Sequence, residues 1–153
     1  YSVRAVDGAG NASAWTATQA RTAPRRQVVR AMNGDGMRFT GTWRPESDLD
    51  PVGDGTLLCA TAAGASAALT FTGQGLVIHS RLGDQGGLAR IAIDDEEPIV
   101  VSCYSADEIP QWPLFERQWE APGEHHVRIE CLGQADARGA GRKVWLDAVA
   151  VHP

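Results

Sequence analysis

Arginine, carboxylate and aromatic side chains occur in and beside three polar segments of this sequence, residues 83–87, 105–111 and 133–142. A guanidinium or carboxylate group can bind a pair of sugar hydroxyls in a bidentate manner. The ring of a tyrosine or tryptophan packs against the apolar C–H face of a sugar. We therefore predict a carbohydrate-binding site, whose candidate residues are Arg81, Asp84, Tyr104, Asp107, Trp112, Asp136, Arg138 and Arg142. The alternative is that these loops are polar because they are exposed, and that Trp112 begins a core strand.

The residue types that often take part in catalysis do not occur here in patterns that would support it. His125 and His126 are adjacent on a predicted strand, so their side chains point to opposite faces and cannot bind one metal ion together. The sequence contains no G-x-S-x-G, H-E-x-x-H or C-x-x-C motif. The acidic run at residues 94–97 is typical of a solvated turn, and the pair at 107–108 lacks an apolar pocket that would raise one pKa. We predict that the chain is not an enzyme.

The elements that position the candidate residues are predicted to be β-strands. Short apolar segments with alternating residues are separated by glycine, proline and polar residues. The alternation places Leu69 and Phe71, and likewise Ile99 and Val101, on a core face. An antiparallel β-sandwich follows, with strands at 37–43, 56–61, 66–72, 75–82, 88–94, 99–104, 112–119, 124–132 and 143–151. The same alternation assigns further core pairs, which are Leu76 and Ile78, Ile91 and Ile93, and Val127 and Ile129.

The lengths of the loops distinguish the two ends of this sandwich. Successive antiparallel strands place their connections alternately at opposite ends. Short turns at 73–74, 95–97 and 120–123 should therefore share one end, and the three polar segments the other. Because binding residues are usually carried on long loops over a rigid scaffold, the end with the long loops is the predicted site. Greek-key crossings would change this order locally.

Three cysteines and one aspartate, at positions expected to be buried, each have a structural and a functional interpretation. Cys59, Cys103 and Cys131 are not spaced as in a metal-binding motif, and their odd number does not fit a full set of disulfide bonds. Cys103 and Cys131 follow the apolar alternation, which favours small buried hydrophobes, and a Cys103–Cys131 disulfide is the alternative. Asp147 interrupts the apolar final strand, and we interpret it as a structural polar anchor, with a ligand or metal role as the alternative.

Composition excludes several classes of partner. The formal net charge is -5 and 22% of residues are charged, which gives no basic surface for nucleic acid or anionic lipid. No apolar run reaches the roughly 20 residues that a membrane helix needs, so membrane insertion is not expected.

The first 27 residues differ in pattern from the rest. Tyr1, Val3 and Ala5 alternate with polar residues before a turn at residues 8–11, which indicates a hairpin. The Y-x-V-x-A-x-D strand and the following A-G-N-x-S turn resemble the last two strands of a fibronectin type III module. We predict that residues 1–21 are the tail of a preceding module, 22–27 a linker and 28–153 the β-sandwich. The alternative is that the hairpin belongs to the main domain.

Residues 39–151 resemble a galactose-binding-like jelly-roll module of bacterial secreted glycoside hydrolases. The matching motifs are F-T-G-T-W (39–43), A-G-A-S-A-A-L-T-F-T-G-Q-G (63–75), R-L-G-D-Q-G-G-L-A-R-I-A-I-D-D (81–95), V-x-x-Y-S (101–105), P-G-E-H-H-V-R-I (122–129) and W-L-D-A-V-A-V (145–151). The resemblance implies a secreted or cell-surface, noncatalytic module that binds polysaccharide or oligosaccharide and accompanies other modules of the same polypeptide. Ligand would bind at the end loops or on the concave sheet face. A structural spacer that packs against its parent catalytic domain is the alternative.

Two departures from that family pattern bear on the site. Members commonly carry an acidic residue where Cys103 stands, and Asn-Pro where Asp136 and Ala137 stand. Some such modules hold a structural calcium ion through carboxylate oxygens. The candidate ligands here are Asp48, Asp50 and Asp54, for which a solvated turn is the alternative.

Overall fold

The computed structural model describes residues 2–3, 16–17, 27–31, 36–47 and 56–153. Strand β1 (Ser2–Val3) pairs antiparallel with β2 (Thr16–Ala17). The proposed module tail and linker lie mostly outside the described residues, so their assignment stays a prediction, although β3 already begins at Gln27. The candidate calcium ligands Asp48, Asp50 and Asp54 also lie outside the described residues.

The described chain is built from antiparallel strands, which confirms the predicted all-β sandwich of the jelly-roll type. The largest sheet has the order β3-β12-β7-β10-β8-β9, with β4 beside β7, and a second sheet has the order β11-β6-β5. Over the described residues, no helix has the length and apolar character that crossing a bilayer requires. The strands are β3 (Gln27–Arg30), β4 (Met37–Thr40), β5 (Arg44–Ser47), β6 (Thr56–Ala60), β7 (Ser66–Leu82), β8 (Gly87–Ile93), β9 (Ile99–Ser102), β10 (Ile109–Ala135), β11 (Val144–Leu146) and β12 (Ala148–His152).

The long strands β7 and β10 form a two-stranded ribbon that folds back on itself. A straight strand of the 17 residues of β7 would extend roughly 56 Å. Ala65, which immediately precedes β7, and Leu82, its last residue, nevertheless pack in the same buried cluster. The fold-back is near residues 73 and 123, which face each other in the ladder. The prediction of separate strands on either side of 73–74 and of 120–123 was therefore wrong, because β7 and β10 each continue through the bend and pair on both sides of a register shift between Gln118 and Gly123.

A close approach explains the glycine at the bend of β7. A Cβ atom on Gly73 would lie 2.5 Å from the backbone oxygen of His152 at the end of β12. Any larger residue would push β12 away from the sheet, so the fold-back requires glycine at this position.

The predicted core residues pack between the two arms of the folded ribbon. Ile99 is the exception, because it is 42% exposed. Its strand β9 pairs only with β8 in the described sheet, so one side of it faces solvent, and Val101 alone of that pair packs against the core. The buried members are Leu69, Phe71, Leu76, Ile78, Ile91, Ile93, Val127 and Ile129.

The three cysteines are free and buried, so the alternative Cys103–Cys131 disulfide is not formed. Burial raises the pKa of the Cys59 thiol to about 12 and that of Cys103 to about 11. Both thiols are therefore neutral at physiological pH and act as small core groups.

The predicted single final strand is divided at Asp147. Strand β11 belongs to the three-stranded sheet and β12 to the larger sheet, so the chain changes sheets here. Asp147 is 8% exposed. Its N–H donates to the His79 oxygen at 3.0 Å and its backbone oxygen accepts from the Ala31 N–H at 2.8 Å, so its main chain connects three segments.

Candidate functional site

Backbone hydrogen bonds join the three long loops into one surface, the long-loop end, which comprises residues 83–87, 103–108 and 136–143. The Gly83 N–H donates to the Cys103 oxygen at 3.1 Å, and the Ser105 N–H returns to the Gly83 oxygen at 3.0 Å. The Lys143 N–H donates to the Gln85 oxygen at 2.9 Å. The three loops therefore meet as the loop-length argument predicted, although residues 109–111 and 133–135 of the predicted segments belong to β10.

An aromatic ring and a guanidinium group form the best-defined feature of the long-loop end. The Arg138 guanidinium carbon lies 5.1 Å from the centre of the Tyr104 ring. Asp136 fixes this guanidinium through a bidentate pair, with Nε–Oδ1 at 2.8 Å and Nη2–Oδ2 at 3.0 Å. Ser102 donates to Asp136 Oδ2 at 2.6 Å and accepts from the Tyr104 N–H at 3.1 Å. We call Tyr104, Asp136 and Arg138 the platform.

Both charges of the platform are stable against titration. Hydrogen bonds from Arg138 and then from Ser102 hold the pKa of Asp136 far below its usual range. Asp136 in turn raises the pKa of Arg138. The Arg138 side chain is 65% exposed, and a guanidinium has five N–H donors, of which Asp136 occupies two. The remaining donors of Arg138 are directed away from Asp136 and are open to a ligand.

Gly139 allows the loop 136–143 to lie against the Tyr104 ring. A Cβ atom at this position would be 2.5 Å from Tyr104 Cε2 and 3.4 Å from the backbone oxygen of Asp84. Asp84 itself is exposed. The structure therefore brings four of the predicted residues together, which are Asp84, Tyr104, Asp136 and Arg138.

Arg81, a predicted binding residue, makes structural contacts with Glu108 and Trp145. Its side chain is 13% exposed and its Nη2 lies 2.6 Å from Glu108 Oε2. The guanidinium carbon is also 5.2 Å from the centre of the Trp145 ring. Arg81 thus links β7 to the loop 103–108 and covers one face of a buried indole.

Within the part of the chain that the structure describes, no hydrogen bond, ion pair or ring contact joins the platform to the other three predicted residues. Trp112 is 43% exposed and pairs with Ser80 on β7, and among the described residues its ring makes no contact with another ring or cation. The Asp107 N–H donates to Ser105 Oγ at 3.3 Å, and its carboxylate is exposed. Arg142 is exposed and contributes its backbone oxygen to the Cys131 thiol at 3.8 Å.

Sequence reasoning missed the polar cluster that supports the third loop. Glu46 Oε1 lies 2.8 Å from Lys143 Nζ, and Glu46 Oε2 accepts from the Trp145 indole N–H at 2.9 Å. Burial opposes ionisation of Glu46, but the hydrogen bonds from Lys143 and Trp145 outweigh it and lower its pKa. No local signal identifies this cluster, because Glu46 and Lys143 are 97 positions apart.

At the opposite end of the sandwich, the Asp94 carboxylate also has hydrogen-bond partners. Asp94 Oδ2 lies 2.8 Å from His125 Nδ1, and Asp94 Oδ1 accepts from the His126 N–H at 2.7 Å. Burial raises the pKa of Asp94, but the hydrogen bonds from His125 and His126 outweigh it, so the net shift is downward. His125 also stacks on Trp119, with ring centres 3.7 Å apart.

Acid should therefore remove part of the stability that Asp94 contributes. A carboxyl whose pKa is lower in the folded state stabilises above its unfolded pKa of about 3.9 and loses that contribution as the pH falls through the folded value. We expect wild type to lose more free energy of unfolding between pH 5 and pH 3 than Asp94→Asn, measured by urea unfolding. Asp95→Asn, an exposed neighbour, should retain the wild-type slope. Equal slopes for wild type and Asp94→Asn would contradict this assignment.

No protein-family model and no curated protein sequence matches this chain. Solved structures do resemble it. A family two carbohydrate esterase from Cellvibrio japonicus is similar with TM-score 0.55 and 16% identity, over 83% of this chain and 33% of that chain. A two-domain esterase active on acetylated mannans has TM-score 0.51 and 14% identity, over 91% of this chain and 40% of that chain.

A separate module also has this fold. The CBM36-1 domain of a multidomain xylanase from the hindgut metagenome of Trinervitermes trinervoides has TM-score 0.50 and 10% identity, over 84% of this chain and 98% of that chain. Our chain thus spans a third to two fifths of the two esterases and nearly the whole of the xylanase domain. At these identities the likeness establishes the shared jelly-roll sandwich.

Proposed function

We propose that this chain is a noncatalytic carbohydrate-binding module of a longer, secreted polysaccharide-acting protein, and that it binds glycan at the long-loop end. The observation that carries the proposal is the platform, in which Asp136 clamps Arg138 over the Tyr104 ring. The fold supports it, because structures with this fold include the CBM36-1 domain of a xylanase and an esterase active on acetylated mannans.

The chemistry of the platform suits a sugar. The exposed N–H groups of Arg138 can donate to hydroxyl oxygens, while the aromatic and guanidinium surfaces offer flat faces to C–H groups. Because Asp136 and Ser102 already hold these groups, binding requires little further ordering of side chains. Asp84, Asp107 and Arg142 lie on the same three loops and would contact a longer glycan, as would Trp112 on β10, while Arg81 would hold the loop 103–108 in place through Glu108.

A module that packs against a parent catalytic domain is the second candidate. Ile99 and Val100 are 42% and 57% exposed on β9, the outermost strand of the large sheet, and another domain could cover this apolar edge. In the two esterases the matched part is a third to two fifths of a longer chain, which also supports this second candidate.

Substitution at the platform distinguishes the two candidates. After a glycan panel identifies a ligand, we expect Tyr104→Ala and Arg138→Gln each to weaken binding at least about tenfold by isothermal calorimetry, equivalent to about 1.4 kcal/mol. Arg117→Gln is the matched control, since Arg117 is an exposed arginine paired with Glu96 at 2.6 Å near the opposite end. Failure of a folded chain to bind any glycan, or unchanged affinity of both platform variants, would contradict glycan binding at this end.

A further inference from the structure

A groove on the outer face of the large sheet carries cationic side chains away from the long-loop end. In the strand register, Arg38 on β4 lies opposite Ala68 on β7, Ala68 opposite Arg128 on β10, and Arg128 opposite Ala92 on β8. Directly paired residues project from the same face of a sheet. Arginine and alanine therefore alternate across four neighbouring strands, with Ala68 between the two arginines.

The next row of the same face adds a histidine and a hydroxyl. His126 on β10 lies opposite Thr70 on β7, and both are exposed. These residues, together with Arg38, Ala68, Ala92 and Arg128, line an open cavity of about 620 Å³. The groove is wide enough for a chain to lie across it, because its floor consists of small side chains.

The arginines of the groove retain unused hydrogen-bond donors. None of the described residues forms a hydrogen bond or an ion pair with the exposed Arg38 side chain. Arg128 Nη2 lies 3.8 Å from Glu130 Oε2, which is too long for a hydrogen bond. Asp94 at the edge of the groove already accepts from His125 and His126. Arg38 and Arg128 thus remain available to an anionic ligand, while the carboxylates of Asp94, in the lining, and of Glu130, 3.8 Å from Arg128, reduce the local positive charge.

We infer that this groove is a second glycan site, and that it binds the carboxylate of a uronate-containing polysaccharide. Neighbouring strands are about 4.8 Å apart, so the backbones of Arg38 and Arg128 are separated by about 10 Å. Two flexible guanidinium groups at that spacing can hold one carboxylate from both sides, each through paired N–H donors. The sugar ring then lies on Ala68, within reach of the Thr70 hydroxyl. A neutral sugar has no group that uses both arginines in this way.

Calorimetry with tetragalacturonate tests the site, and the fully methyl-esterified tetramer is the matched neutral ligand. We expect the acid to bind at low salt and the ester to bind at least tenfold more weakly. The double variant Arg38→Gln/Arg128→Gln should weaken binding of the acid at least tenfold. Arg90→Gln, an exposed arginine on the same sheet that lies outside the groove, should change it less than twofold. Thermal unfolding verifies that each surface variant is folded.

Three results would overturn the inference. The first is absence of tetragalacturonate binding to wild type, and the second is equal loss in Arg90→Gln and the double variant, which would indicate general charge attraction. The third is loss of acid binding in Arg138→Gln with retention in the double variant, which would place the ligand at the long-loop end. Because wild-type binding of tetragalacturonate and its loss in the double variant do not require the platform, this test stands even if the platform binds no neutral glycan.

Discussion

Replacing Trp145 with alanine is expected to lower the free energy of unfolding by about 3–5 kcal/mol. Trp145 is 2% exposed and belongs to the buried cluster that includes Cys59, Cys103 and Cys131. Removal of the indole leaves a cavity among these residues. It also removes the N–H that donates to Glu46 at 2.9 Å, so a partly buried carboxylate loses one of its two partners, and an unsatisfied acceptor adds to the cost.

Urea unfolding at pH 7 measures this loss, and Trp112→Ala is the matched control because it removes the same side chain from a site that is 43% exposed. We expect the control to change the free energy of unfolding by about 1 kcal/mol or less. Equal effects of the two substitutions would show that Trp145 is not the buried support of the long-loop end that the structure describes.

Gly141→Ala is expected to disrupt the long-loop end through backbone collision. An added Cβ would overlap the backbone oxygen of Gln85, and neither main chain can move without breaking the hydrogen bond from Lys143 N–H to that oxygen. Overpacking of this kind typically costs about 1–3 kcal/mol, and we expect the upper part of that range. The loop that carries Arg138 would be displaced with Gly141, so glycan binding should be lost as well.

Ala140→Ser provides the control for Gly141→Ala, since it adds one heavy atom to the exposed neighbouring residue of the same loop. Urea unfolding and calorimetry with the identified glycan should both leave Ala140→Ser close to wild type. Wild-type stability and affinity in Gly141→Ala would mean that the loops 83–87 and 136–143 are not in the close contact described here.

The buried face of each strand was predictable because it depends on a local pattern. Side chains alternate between the two faces of a strand, so the apolar residues at every second position of β8 indicate their burial without knowledge of their partners. The same reasoning was wrong for Ile99, since exposure at the outermost strand depends on which strands lie beside it. It also predicted turns at 73–74 and 120–123, where β7 and β10 bend without ending.

The grouping of the candidate residues was predictable only in part. Loop lengths indicated that the three polar segments share one end, and the backbone hydrogen bonds between them agree. They could not indicate that Arg138 lies over Tyr104 while Arg81 is occupied by Glu108. Which carboxylate pairs with which guanidinium depends on distances between loops that are remote in sequence.

By itself, the sequence determined that this chain is an antiparallel β-sandwich, which residues form most of its core, and that one end carries long polar loops. These properties follow from the two-residue period of strands and from the lengths of connections. The tertiary structure alone decided the clamp of Asp136 on Arg138, the support of Trp145 by Glu46, and the cationic groove between Arg38 and Arg128. Each of these depends on the register between strands or loops that are distant along the chain, and register is established only when the whole core is packed.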